Sequence, residues 1–186
     1  FKPSVVETWL DLLENAQKNA ARELDEDLLS YLVLLLIRFT DNPALASSVM
    51  ALEYLQGQHL EGQLQRDHLR DVGDKCLLYS GLFPKRAQRK RVRVSYYVNL
   101  GRSAYQTLAD RFERGDGLTY GQLAATFVPV MEVLQAMRDM DDPAHRLDAI
   151  EAFDLWADTA SPRAWAELRR YSEGTPCGII PGGKAH

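Results

Sequence analysis

At 186 residues, 46% hydrophobic and 26% charged, the chain has the size and balance of one globular domain with a proper core. A net charge of −4 excludes a generally basic nucleic-acid binder, and two distant cysteines, Cys76 and Cys177, exclude a disulfide scaffold and a CxxC zinc site. The opening FKPSVVETWLDLLENAQ is amphipathic and acidic, unlike a secretory leader, and the absent initiator Met implies a processed or trimmed start.

Pro3-Ser4 opens the first helical pattern, with Val5, Val6, Trp9, Leu12, Leu13 and Ala16 at steps of three and four opposite Glu7, Asp11, Glu14 and Lys18. Asp25-Glu26-Asp27 then sets three carboxylates where a helix N-terminus favours them. Leu28 to Phe39 is apolar nearly all round, interrupted by Ser30 and Arg38, which predicts a helix buried in mid-bundle. Its densest run, Tyr31 to Ile37, is far too short for a membrane span. Asp41-Asn42-Pro43 starts another helix carrying Leu45, Val49, Leu52 and Leu55, expected to end at Gly57. A polar, mobile joint is expected over 56–65, before a pattern through Leu64, Leu69, Val72, Cys76, Leu77 and Tyr79 up to Gly81.

Beyond a basic turn, Tyr96 to Phe112 reads as helix and Gly115-Asp116-Gly117 stops it. Thr119 to Met140 follows as one long helix that Pro129 should kink by removing a hydrogen bond. Asp141-Asp142-Pro143 is the next break, Arg146 to Ala157 the next helix, and Ser161-Pro162 opens a short last one. The tail, 174–186, has four Gly and two Pro in 13 residues and should be irregular. Val92-Arg93-Val94 is the only strand candidate and is too short to count. The fold class is therefore all-α: one helical domain over 1–173, of about eight helices, with the tail 174–186 appended.

Residues 70–105 stand out. Gly73, Cys76 and Ser80 share one helix face, and Gly101, Ala104 and Leu108 share another, so two helices can approach closely as a hairpin. From Lys75 to Ala109 there is no Asp or Glu, yet eight of the 22 basic residues fall there. The rest of the chain then holds 14 basic against 26 acidic residues, a balance of −12. Lys85, Arg86, Arg89, Lys90, Arg91 and Arg93 form the turn, just before Tyr96 and Tyr97. Guanidinium forks in that setting suit an anionic group. Their bland role is to pair with the protein's own acidic surface. Folding the hairpin about the turn should bring Asp71 or Asp74 beside Arg102, so Asp74, Tyr79, Tyr97 and Arg102 are the candidate lining of a ligand cleft.

Other chemistry is poorly served. None of His59, His68, His145 and His186 follows a Glu by three residues, and there is no HExxH or Cys/His cluster, so no metal is expected. Neither a GxSxG elbow, a GxxxxGK[ST] loop nor a GxGxxG turn occurs, and Cys76 on an apolar face reads as a small hydrophobe. No catalytic residue and no cofactor is assigned.

The run GDKCLLYSGLFP followed by VSYYVNLGRSAY resembles a pattern, GDxxLxxSGxFP…YYxxxGxxAY, of uncharacterised all-helical bacterial proteins. It covers about the middle fifth of the chain and carries over no catalytic residue and no ligand. The leading expectation is a cytoplasmic bacterial binding module using the 70–105 hairpin and its basic turn. Its partner would be a protein or a small anionic ligand, with a homodimer left open and no membrane. The alternatives are an enzyme or anionic-ligand protein with the four-residue cleft, and, disfavoured by the overall charge, RNA-backbone binding by the turn.

Overall fold

The computed structural model describes residues 4–41, 50–84, 92–112 and 116–173. Among these residues every regular element is helical and none is a strand, so the fold is all-α. The described helices are α1 (Val5–Ala20), α2 (Glu26–Asp41), α3 (Met50–His59), α4 (Gly62–Gly81), α5 (Val94–Arg111), α6 (Asp116–Ala125), α7 (Phe127–Asp141), α8 (Ala149–Thr159) and α9 (Pro162–Glu173), with a short 3-10 turn at Pro143–His145. The chain forms two compact units, 1–146 and 147–186.

Local chemistry favours the N-termini of the first two helices. Ser4 caps α1 in a reciprocal box with Glu7, its hydroxyl accepting from the Glu7 N–H while Glu7 accepts from the Ser4 N–H. Glu26 and Asp27 occupy the first turn of α2, where the helix dipole favours them. Three expectations change. Gly57 is an interior residue of α3, and the joint before α4 is only Leu60-Glu61, with Gly62 taking the left-handed conformation (φ 59°) that a glycine tolerates. α2 is not apolar-buried all round: Leu28, Leu32, Val33, Leu35 and Leu36 are buried, while Leu34 is 66% exposed. The long 119–140 helix is two helices meeting at Thr126. Pro129 has no N–H to offer the Ala125 carbonyl, and it sits instead in the first turn of α7, where the missing donor costs nothing.

The core of this unit joins α1 and α2 (Leu13, Leu32, Leu36) to α4 (Leu69, Leu77), α5 (Leu108), α6 (Leu123) and α7 (Phe127, Met131, Leu134), all with almost no exposure. The most extensive helix pair is α4 with α5. Its matched contacts run in opposite directions along the chain, Gly73 with Tyr105, Cys76 with Gly101 and Tyr79 with Tyr97, so the hairpin is antiparallel. The small residues are its reason. A Cβ on Gly73 would lie 2.5 Å from Tyr105 Cε1, and one on Gly101 would lie 2.6 Å from Phe127 Cε2 and 2.8 Å from Cys76 Cβ. α1 packs on α7 and α6 on α5, which closes the bundle around the hairpin.

In the second unit α8 and α9 pack on each other. Asp148 and Glu151 form a capping box at the start of α8, and Ala160 ends it in the left-handed region (φ 54°). Ser161 Oγ accepts from the Ala164 N–H at 3.1 Å, one residue ahead of Pro162 at the first helical position. Trp156 and Trp165 meet across the pair with ring centroids 4.7 Å apart. No helix among the described residues is long and apolar enough to cross a membrane.

Candidate functional site

Asp74 lies at the centre of the first unit, 2% exposed. It reaches that depth because α4 turns Gly73, Asp74, Leu77 and Leu78 inward together, and a carboxylate so placed needs donors from other helices. Tyr31 and Tyr105 supply two: the Tyr31 hydroxyl donates to Asp74 Oδ1 at 2.5 Å and the Tyr105 hydroxyl to the same oxygen at 2.7 Å. Arg38 Nη2 donates to Oδ2 and forms the ion pair. α2, α4 and α5 thus converge on one side chain.

The phenols form their own cluster. Tyr105 and Tyr120 stack at 6.1 Å, and Tyr31 presents an edge to both, at 6.5 and 6.2 Å. Burial, and then the nearby Asp74 charge, holds the Tyr31 and Tyr105 phenols well above the ordinary tyrosine range. Burial also pushes the Asp74 carboxyl up, against the opposing pull of Arg38 and the two donating phenols. Charge-assisted hydrogen bonds contribute about 1.5–3 kcal/mol each. Desolvating a buried ion pair costs several kcal/mol per ion, so the cluster sets which helices meet and in what register more than it adds net stability.

A second polar group fastens the turn-proximal end of α4. Gln135 Nε2 donates to the Ser80 carbonyl at 3.1 Å, and Arg138 Nη1 to the Gly81 carbonyl at 3.3 Å while pairing with Asp139. These bonds satisfy two of the carbonyls that a helix C-terminus leaves without partners. Nearby, buried Glu132 accepts from Arg22 Nε of the chain preceding α2 at 2.5 Å.

The four residues of the expected cleft do not converge. Asp74 is bonded in the interior, and its cation is Arg38, not Arg102. Tyr79 and Tyr97 are buried and stacked on one another, 5.3 Å apart and 16° from parallel, with Tyr96 edge-on to Tyr97. Arg102 is exposed on the outer side of α5. The hairpin register is close to that expected, but one residue is about 100° of helix rotation, and Gly101 takes the inward place. Arg102 instead lines a shallow groove of about 490 Å³ with Asn99, Ser103 and Gln106 of α5 and Ala124 and Ala125 of α6. Of the basic turn, Arg93 precedes α5 and is exposed. Lys85, Arg86, Arg89, Lys90 and Arg91 lie outside the described residues.

Sequence reasoning missed Tyr31, Arg38 and Tyr105 as partners of Asp74. The signal was there in part: Arg38 interrupts an apolar run and sits seven residues after Tyr31, on the same helix face. Tyr105 closes the motif that carries the resemblance. Among the described residues no group of three or more His, Cys, Asp or Glu side chains is placed to hold a metal ion. Comparison with family models, curated proteins and solved structures finds no match to the chain.

Proposed function

We propose that this chain is a helical binding module of the bacterial cytoplasm that engages an anionic partner through the basic turn of the α4–α5 hairpin. The observation that supports this reading is the way the hairpin is held. Its middle is tied to α2 through Asp74, and its α4 end is tied to α7 through Gln135 and Arg138. The flanks of the turn are therefore fixed, and α5 begins with buried Val94 and Ser95. Rigid flanks lower the entropy lost when a partner binds. The charge distribution supports the choice of partner, since eight cations without a carboxylate stand against a remainder of −12. Cys76 is a buried thiol rather than half of a disulfide, which suits a reducing compartment.

The test replaces Arg86, Arg89, Lys90 and Arg91 together by Gln and compares the proteins retained from cell extract by variant and wild type at two salt concentrations. The reading expects an unchanged fold, loss of specific partners in the variant, and weaker retention by the wild type at the higher salt. Identical partner profiles for the two proteins overturn it.

A further inference from the structure

We infer that the second unit pairs face to face with the same unit of a second copy of this chain, α8 of one lying on α9 of the other. The inference is independent of the binding reading above and concerns a different surface. Among the described residues of this unit the buried apolar side chains are Leu147, Ala152, Leu155 and Ala164, while larger ones stay outside. Ile150 is 75% exposed, Phe153 51% and Trp165 42%. Phe153 meets Trp156 at 6.1 Å and Trp156 meets Trp165 at 4.7 Å, so the rings run across both helices as one surface. Single exposed apolar side chains are ordinary, but a contiguous aromatic face marks a contact.

Charge selects the occupant. α8 carries Glu151, Asp154 and Asp158 and no cation, while α9 carries Arg163, Arg169 and Arg170 against Glu167 and Glu173. The two helices are antiparallel, since Trp156 meets Trp165 at one end and the Tyr171 hydroxyl donates to the Leu147 carbonyl, at 3.0 Å, at the other. A two-fold axis running across the helices would stack acidic α8 on acidic α8, which like charge opposes. An axis running along them lays α8 on the α9 of the second copy, acidic on basic, with every neighbouring pair of the four helices antiparallel. Asp154 borders Ile150 one turn along α8, and Arg169 borders Trp165 one turn along α9. In this pairing Asp154 of each copy comes within one turn of Arg169 of the other. Within its own chain Arg169 bonds Glu173 at 2.7 Å, an exposed i,i+4 pair that contributes little and can be exchanged. The face is about 20 Å wide and about 17 Å long, small for a dimer interface, so the pairing belongs at micromolar concentration.

The experiment measures the mass of the full chain by sedimentation across micromolar concentrations. The wild type should approach twice the chain mass as concentration rises. Phe153→Asp and Ile150→Asp, both at exposed positions, should each stay monomeric with an unchanged helical signal. Asp154→Arg alone and Arg169→Asp alone should each weaken pairing by about tenfold, and the two together in one chain should restore it. The quadruple turn variant should dimerise like the wild type. A wild type that is monomeric throughout overturns the inference, whether the face then stays open or takes another partner. A dimer indifferent to both Asp variants, or lost in the turn variant, forms through another surface and overturns it equally. Failure of the charge swap to restore pairing overturns the placing of α8 on α9.

Discussion

The Tyr105 ring closes over Gly73 while its hydroxyl donates to the neighbouring Asp74 at 2.7 Å, so one side chain of α5 fills the space above α4 and also satisfies its buried carboxylate. Apolar packing and hydrogen bonding act at the same point of the hairpin. That coupling makes the seam between α4 and α5 intolerant of change and leads to three expectations, and the cap of α9 gives a fourth.

Asp74→Ala leaves the buried end of Arg38 without its anion and two phenols without their acceptor. Breaking a buried pair by removing one partner costs about 3–5 kcal/mol, and the partial exposure of Arg38 favours the lower end. Urea unfolding gives the value directly. Wild-type stability in the variant means that water reaches Asp74 and that the cluster does not hold the three helices.

Gly101→Leu inserts a side chain where a Cβ alone would come within 2.8 Å of Cys76 Cβ. Overpacking of this kind costs about 1–3 kcal/mol or more. A melting temperature equal to that of the wild type places residue 101 against solvent and contradicts the hairpin register.

The buried phenols give an alkaline limit. In the unfolded chain Tyr31 and Tyr105 ionise near pH 10, whereas in the folded protein burial and the adjacent Asp74 hold them protonated to higher pH. The folded state then binds more protons, so stability falls as pH rises through about 10 and onward. The melting temperature should decline from about pH 9 to about pH 11, and phenolate absorbance of the native protein should show these two tyrosines titrating only on unfolding. Free titration of every tyrosine near pH 10 in the folded state contradicts their burial.

Ser161→Ala removes the acceptor for the Ala164 N–H at the start of α9. Loss of an N-cap costs about 0.5–2 kcal/mol. The effect is checked by hydrogen exchange at the first amides of α9, which should lose protection relative to those of α8. Unchanged exchange means that Pro162 alone starts the helix.

Helical class, most helix boundaries and the small-residue faces of the hairpin are written locally. Ser4 with Glu7, Ser161 with Pro162, and Gly73, Cys76 and Gly101 at helical spacing each act within a few residues of themselves, where periodicity and capping chemistry operate. The partner of Asp74 is of another kind. Arg38 is 36 residues away and Tyr105 is 31, while Glu132 finds Arg22 across 110. The spacing of Gly101, Ala104 and Leu108 already turns that face of α5 inward and Arg102 outward, into the groove beside α6. No local rule brings Arg38 to Asp74, because that depends on where α2 comes to lie, and only tertiary packing decided it.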